Sequence, residues 1–547
     1  MTYGIFSHAL IRSAAAIAFV LGALVLLVPV RADAAPEVTF NVNSTADKPD
    51  ANPGDGVCVT ARGACTLRAA IMEANANPNK DTIYLPAGNY VLTRVGKDNN
   101  ALRGDLDIRH KLDIVGAGVD VTFIDGNGDV TDDRVFTIFA FSKVTMTGIQ
   151  ILFGETTGNG GAIYSTGTLT LNDSYLNGNM AKNGGGIYNA STQFAAGSLT
   201  LNNTTVINNT AAMDGGAIYN KGALALNNST IEDNEAQSGG GGIFNRGTMA
   251  LMSGIVNRNT AGGGGGIFSD HGMVTISHST ISHNTSAVLG GGIINLGTND
   301  NHFSVMTLSD STVSGNTADS GGGGIHNSGD MQLFNTTVSG NTARDGGGIS
   351  HALNTLRMTN STISGNVVRF DGGGVYVTNN GQTHLFNVTI ANNIADDKMD
   401  GSGLGGGIFV AEEGNGKLHL QNTLVADNYN RDPSGGGFIL SSDNCAGALI
   451  SHGYNLIYGV PPACTIGGNV VGNITAQDAM FDILENNGGP TLTHRLELGS
   501  PAIDSGNPAG CVDFFGALLT TDQRGEPRPT DGDGRDGARC DIGAFEK

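Results

Sequence analysis

The chain has 547 residues, of which 84 are glycine and none is tryptophan, and its formal net charge is −21. Glycine at this level without a three-residue period excludes collagen, and regularly spaced apolar residues exclude a disordered low-complexity chain. The acidic surface argues against nucleic acid as a partner, because it repels phosphate groups; the same charge also serves solubility.

The N-terminus has the pattern of a secretory signal. Arg12 supplies the positive region, residues 14–30 are apolar, and Ala32–Ala34 resembles a cleavage site between small residues. We therefore expect a signal peptide over residues 1–35 and an exported protein, secreted or associated with the cell surface or outer membrane. An uncleaved anchor is the alternative, because the apolar run is nearly long enough to span a bilayer. No second such run follows, so no membrane span is expected after cleavage.

Six cysteines fit an oxidising compartment and fall into three local pairs at the two ends of the chain. These pairs are Cys58 with Cys65, Cys445 with Cys464, and Cys511 with Cys540. Six cysteines allow 15 connectivities, so nearest-neighbour pairing is a hypothesis. Their spacings do not suit zinc, and disulfides that fasten the ends are the better interpretation.

Residues 36–130 are predicted to form an N-terminal cap and the first coils of a repeat. Residues 65–75 have the pattern of a short amphipathic helix with Thr66 as its N-cap, and residues 81–90 that of a strand. The motif Cys65–Ala70 resembles that of the CSLREA domain of bacterial surface proteins. Ala69 replaces the glutamate that would complete a capping box with Thr66, so we expect a weaker cap.

Residues 131–440 contain a repeat of roughly 25 residues. In each unit an aliphatic residue precedes an asparagine by three positions, and a glycine-rich segment ending at an aliphatic residue follows. The asparagines are Asn179, Asn209, Asn234, Asn259, Asn284, Asn316, Asn341, Asn366, Asn393 and Asn428. Apolar alternation breaks at each corner and resumes, which predicts three short strands in each unit. The fold class is therefore all-β, a right-handed parallel β-helix with a helical N-terminal cap and a disulfide-containing C-terminal cap.

Two features of the repeat carry further predictions. Asparagine tolerates left-handed backbone and suits a corner, and its amide can bond to the asparagine of the next coil. Insertions enlarge one corner at residues 187–199 and 293–306, and another at 395–405. Loops projecting from one edge of a solenoid are often a binding surface, although tolerated surface variation is the alternative. The Gly-Gly-Ala-Ile strings resemble polymorphic outer membrane protein repeats, with valine or isoleucine where that family usually has phenylalanine.

Residues 441–547 resemble the choice-of-anchor Q domain. The matching strings are residues 487–494, 499–506, 521–529 and 540–546. Together the three resemblances imply a β-helix fold and a surface location rather than an activity. No cell-wall sorting motif follows residue 546, so we expect release or non-covalent attachment.

Few residues of the sequence indicate catalysis. Asp345 and Asp371 each lie four residues before the aliphatic residue of a glycine segment, so they should lie one coil apart in register. Arg344 and Arg369 are beside them, and Asp214 has the same position in an earlier coil. Stacked carboxylates suit a retaining glycosidase or a cation site, because their repulsion separates the two pKa values. Solvated acidic corner residues are the alternative.

A metal is suggested only near the C-terminus. Asp531, Asp533 and Asp536 resemble a calcium loop but lack the ligand order of an EF-hand, and a solvated turn is the alternative. His351, His384 and His419 lie in different coils without ligand spacing. No cofactor other than calcium is indicated.

Three functions follow from this pattern. The first is a non-catalytic adhesive or carbohydrate-binding protein whose partner is a polysaccharide or cell-surface glycan. The second is a polysaccharide lyase or glycoside hydrolase of the pectate-lyase-like type, with Asp345 and Asp371 in its site; fold alone does not imply it. The third is a structural stalk.

Overall fold

The computed structural model describes residues 37–193, 196–297, 304–396, 403–432, 439–535 and 537–547. Residues 37–547 form one compact unit. The predicted signal peptide, residues 1–35, and Asp536 lie outside the described residues. None of the helices that the structure describes is long and apolar enough to cross a membrane.

The predicted parallel β-helix is confirmed. Its coils stack in register, so equivalent strands form continuous parallel files along the molecule. The first file consists of Thr39–Asn41, Asp81–Leu85, Leu112–Gly116, Lys143–Thr147, Thr168–Asn172, Ser198–Asn202, Ala223–Asn227, Thr248–Met252, Met273–Ser277, Val305–Ser309, Asp330–Phe334, Thr355–Ser364, Gln382–Ala391, Lys417–Gln421, Cys445–His452 and Cys464–Asn469.

The second file follows the first across a corner. It consists of Gly88–Val91, Thr122–Asp125, Gln150–Leu152, Tyr175–Asn177, Thr205–Ile207, Thr230–Glu232, Ile255–Asn257, Thr280–Ser282, Thr312–Ser314, Thr337–Ser339, Leu424–Ala426 and Leu456–Ile457. Thr355–Ser364 and Gln382–Ala391 span both files, because there the corner itself is extended.

A third file of short strands was not predicted. It consists of Met180–Ala181, Thr210–Ala211, Glu235–Gly239, Thr260–Gly263, Thr285–Ser286, Thr317–Ala318, Thr342–Ala343, Val367–Val368, Ile394–Ala395 and Tyr429–Asp432, with Ile439–Ser442 antiparallel to the last. The prediction of three strands in each coil was therefore wrong, because most coils have four. Two-residue strands show no alternation, so the sequence pattern cannot reveal them.

From Ile163 onward, each strand of the fourth file begins at the aliphatic residue of a glycine segment. It consists of Leu106–Ile108, Phe136–Ile138, Ile163–Ser165, Ile187–Asn189, Ile218–Asn220, Ile243–Asn245, Ile267–Asp270, Ile293–Leu296, Ile325–Asn327, Ile349–His351, Val375–Asn379 and Ile408–Gly414. The glycine strand was predicted to end at this aliphatic residue, and that was wrong. The glycines instead form the turn before this residue. Glycine is required there because the backbone of the next coil leaves no room for a Cβ: a Cβ at Gly216 would clash with the carbonyl oxygen of Gly241.

The core is one column of aliphatic side chains. A typical coil contributes Leu199 and Leu201 from the first file, Val206 from the second and Ile218 from the fourth, all at most 1% exposed. Burial of this apolar column is the main stabilising contribution, and it repeats in every coil.

The predicted asparagine ladder is confirmed. The Asn209 side-chain oxygen accepts from both the backbone N–H and the side-chain amide of Asn179, and the Asn209 amide donates to Asn234 at 3.0 Å. The ladder continues coil by coil to Asn428 and then Asn444. The left-handed residue, however, is the one before the ladder asparagine: Asn208 has φ 54°.

The N-terminal cap contains the predicted helix, Leu67–Ala76. Its N-cap is Thr66, whose hydroxyl accepts from the Ala69 N–H. The predicted strand over residues 81–90 is instead two strands, which separate at Pro86 because proline has no N–H to donate. Arg68 is buried against Asp47 and donates to the carbonyls of Ala101 and Gly104. A second, four-residue helix is Gly128–Thr131.

The three local disulfides are present, Cys58–Cys65, Cys445–Cys464 and Cys511–Cys540. The C-terminal region, residues 481–547, contains the antiparallel pair Phe481–Glu485 and Thr493–Leu496. It lies along the second file. His494 bonds Ser364, and Gln523 bonds both Thr337 and Thr362.

Candidate functional site

Asp345 and Asp371 lie in adjacent coils, at the turn that precedes the fourth file. The chain reaches this turn from the third file and leaves it through the glycine segment, so each side chain at the turn faces the backbone of the next coil. The Asp345 carboxylate accepts from the Asp371 N–H at 3.3 Å, and the Asp371 carboxylate accepts from the Leu404 N–H at 2.9 Å. Asp214 does the same for the Gly239 N–H. Carboxylates at this turn therefore join successive coils.

Burial raises the pKa of both carboxyls. For Asp345 the hydrogen bond from Asp371 and the Arg344 guanidinium, 3.2 Å away, oppose the rise. For Asp371 the Leu404 N–H opposes the rise, and the charge of Asp345 adds to it. Both carboxyls therefore shift in the same direction, and the arginine partly compensates only Asp345.

A third acid, Asp443, continues this row in the coil that follows Leu404. Asp443 is 6% exposed, and its carboxylate accepts from the Gly405 N–H at 2.7 Å. Burial raises the pKa of Asp443 to about 6, and the charge of Asp371 contributes to the same direction. Asp443 was not predicted, because it lies two residues before Cys445 and outside the glycine motif, where no spacing rule identifies it.

A cleft of about 480 Å³ opens beside Asp371. Its floor is the outward side of the fourth file, where the rings of Tyr376 and Phe409 stack at 5.4 Å with 8° between their planes. Each ring follows the buried aliphatic residue of its strand, so the period of two turns it outward. The remaining lining residues are Asp371, Thr378, Leu404, Val410, Ala411, Glu412, Glu413, Ala446, Gly447 and Ala463.

Two of the cleft walls come from irregular parts of the repeat. Ile408–Gly414 is longer than the other fourth-file strands and extends Glu412 and Glu413 to the surface, where both are exposed. Leu404, which is 42% exposed, comes from the insertion at residues 395–405. One of the predicted insertions thus borders the cleft.

Another aromatic stack lies along the same file in earlier coils. Tyr164, Tyr188, Tyr219, Phe244 and Phe268 stack in sequence at centroid distances of 4.8–5.5 Å. The three central rings are only 4–6% exposed, so this stack packs the surface and leaves little ring area for a ligand. The stack was not predicted; its signal in the sequence is the aromatic residue that directly follows the aliphatic residue of each of these glycine segments.

The predicted metal residues lie only partly together. Asp531 and Asp533 group with Asp504, with candidate ligand atoms all within 4.8 Å. Asp504 also accepts from the backbone N–H of Gly532 and of Asp533, which fastens the loop without a cation.

The histidines noted in the sequence have two different environments. His351 is fully buried and meets Asn327 at 3.0 Å, whereas His384 and His419 stack on the outer side of the first file with centroids 4.6 Å apart. His419 Nδ1 is 3.0 Å from His452 Nε2, a contact that the sequence analysis did not predict.

Comparison with known proteins supports the repeat and no specific activity. The model of the Chlamydia polymorphic membrane protein repeat matches residues 203–221 and 310–328. No curated protein matches the chain. The A-module of the mannuronan C-5 epimerase AlgE6 of Azotobacter vinelandii is similar at 15% identity and TM-score 0.32, over 80% of this chain and 99% of that one. Pectate lyase Pel9A is similar at 13% identity and TM-score 0.28, over 93% and 96%. The resemblances of the two ends stay predictions.

Proposed function

We propose that this is an exported β-helix protein of the cell surface that binds saccharides in the cleft without cleaving them. The observation that carries the proposal is the Tyr376–Phe409 platform, with Asp371, Glu412 and Glu413 around it. Stacked rings offer an apolar surface to a sugar ring, and the carboxylates accept hydrogen bonds from hydroxyl groups. A concave apolar site with a few convergent polar groups is the usual form of a small-ligand site.

Export and surface location are supported by three features. The N-terminal pattern is that of a signal peptide, the three disulfides suit an oxidising compartment, and residues 203–221 and 310–328 match the repeat of a polymorphic membrane protein family. Fractionation of producing cells, with thiol labelling of the intact protein, tests the location. Recovery in the cytoplasm with reduced cysteines would overturn it.

The binding test uses purified protein and a panel of neutral, acidic and amino polysaccharides, with and without calcium. We expect retention of at least one polymer without cleavage, and Tyr376→Ala should weaken it about tenfold through loss of the ring contact. Tyr84→Ala is the matched control, because Tyr84 is a 46% exposed tyrosine outside the cleft. Equal losses in the two variants would contradict the assignment of the site.

A hydrolase or lyase is the second candidate. Burial raises the pKa of both Asp345 and Asp371, and this favours the candidate because an upward shift is the direction that a general acid requires. Their hydrogen bonds to backbone N–H groups of the next coil weigh against it, because they engage the carboxylates in structure. Cleavage of a polymer that Asp371→Asn abolishes, with binding retained, would establish this candidate in place of the first.

A further inference from the structure

The charged side chains that line the cleft, among the described residues, are all acidic. Among the described residues that line it, Asp371, Glu412 and Glu413 are carboxylates and there is no lysine, arginine or histidine. Asp345 and Asp371 also act on the platform itself: burial raises the pKa of Tyr376, the charges of Asp345 and Asp371 add to this rise, and the Thr378 hydrogen bond and the Arg344 charge oppose it more weakly. A ligand stacked on Tyr376 therefore experiences a negative potential from the side of the turn and from the exposed strand end.

This potential discriminates between classes of saccharide. A uronic-acid polymer carries one carboxylate on each sugar and would meet three like charges in a partly desolvated site, at a cost that rises as water is excluded. A neutral sugar would neither gain nor lose binding free energy from this potential. An ammonium group would gain from the carboxylates, and also from the one face of each ring that the stacked partner does not cover, because a cation over the face of an aromatic ring is attracted by its quadrupole.

We infer that the cleft selects a saccharide that bears a protonated amino group, such as a polymer of 2-amino-2-deoxyhexose, over neutral and uronic-acid saccharides. This inference rests on the proposed function and specifies its ligand. The sugar ring occupies the Tyr376–Phe409 platform, and the ammonium group lies between Asp371 and the two glutamates. The cleft is about 480 Å³, which places it in the range of small-ligand sites.

The overall charge of −21 attracts any polycation, so a general effect must be separated from a local one. Glu412 and Glu413 can be neutralised together by Glu412→Gln with Glu413→Gln. The control pair is Glu235→Gln with Asp319→Asn, which removes the same charge from two exposed residues outside the cleft. A local site responds only to the first pair.

The experiment measures the binding of one amino-sugar oligomer and of its fully N-acetylated form by calorimetry, below the pKa of the sugar amine. The two ligands share the sugar ring and differ at the nitrogen. We expect the amino form to bind at least about tenfold more tightly. The Glu412/Glu413 double variant should reduce this ratio several-fold, and added salt should reduce it as well. The Glu235/Asp319 pair should leave the ratio unchanged.

The outcomes separate the two proposals. Equal or tighter binding of the N-acetylated or a uronic-acid oligomer in the cleft would overturn the amino-sugar inference and leave saccharide binding intact. A preference for the amino form that both double variants reduce equally would overturn it too, since the effect would be that of net charge. Failure of every saccharide to bind would overturn both.

Discussion

The second file shows the same residue in two different circumstances. Thr205, Thr230 and Thr312 begin its strands in the middle of the array, where their side chains are partly exposed. Thr337 and Thr362 have the same register position farther along, and both are fully buried under residues 481–547. We call these the open coils and the covered coils.

The buried threonines form hydrogen bonds with residues 481–547, which we call the cover. The Thr337 hydroxyl donates to the Leu492 carbonyl at 2.7 Å, and the Thr362 hydroxyl donates to the Gln523 side-chain oxygen at 2.6 Å. A hydroxyl that is merely solvated in an open coil is thus a buried hydrogen-bond donor in a covered one. The difference shows that the repeat supplies a generic polar surface, and the C-terminal region converts part of it into an interface.

The largest effect is expected from detaching the cover. Arg528 is 4% exposed; it donates to the Glu546 carboxylate at 2.6 Å and to the Asn360 side chain at 3.1 Å. Arg528→Met leaves Glu546 buried without its cation, which should cost about 3–5 kcal/mol. Limited proteolysis should then cut within residues 481–547, and hydrogen exchange in the open coils should stay unchanged.

A control for this prediction lies in the same region. Arg495 pairs with Asp482 at 2.6 Å, but its side chain is 51% exposed. Arg495→Met should cost less than about 1 kcal/mol, because solvent screens an exposed pair. If the two variants are equally sensitive to protease, the buried pair does not hold the cover in place.

The next effect should be the same in both regions. Asn209 lies in the open coils and Asn341 in the covered coils, and both belong to the buried ladder with 0% exposure. Either change to alanine leaves buried donors and acceptors without partners and opens a cavity, which should cost about 2–4 kcal/mol. Denaturant unfolding of the two variants measures it. A much larger loss for Asn341→Ala would mean that the cover also supports the interior.

The comparison of the open and covered coils is tested most directly by the same substitution, threonine to valine, at one position in each. Thr362→Val removes a buried hydroxyl and leaves the Gln523 side chain without its donor, for a cost of about 1–2 kcal/mol. Thr230→Val should change the free energy of unfolding by less than about 0.5 kcal/mol, because valine suits a strand and that side chain is partly solvated. Similar losses at both positions would show that the threonines act through the strand and not through the cover.

The features that recur in every coil were predictable from the sequence. The ladder and the register of Asp345 with Asp371 follow from spacing, since stacked coils align equivalent positions. The cover was not predictable, because Thr362 and Thr230 occur in nearly identical strings and the Thr362 contact to Gln523 joins residues 161 apart. The cleft was missed for a related reason: its floor is a repeat position, but Glu412, Glu413 and Asp443 lie where the repeat breaks down.

The smallest effect distinguishes the two regions by pH. Asp443 lies near the C-terminal end of the array, and burial raises its pKa to about 6, above the roughly 3.9 of an unfolded aspartate. The folded protein therefore retains a proton on Asp443 that the unfolded chain has lost, so the contribution of Asp443 to the free energy of unfolding should fall as pH rises from about 4 to about 6 and stay level above. Asp443→Asn should remove this contribution and stabilise the coils around Asp443 at neutral pH by on the order of 1 kcal/mol. Hydrogen exchange at Gly405, whose N–H donates to Asp443, measures the change, with Asp319→Asn as the exposed control. A slope that persists in Asp443→Asn, or that appears equally at the open coils, would assign the pH dependence to another group.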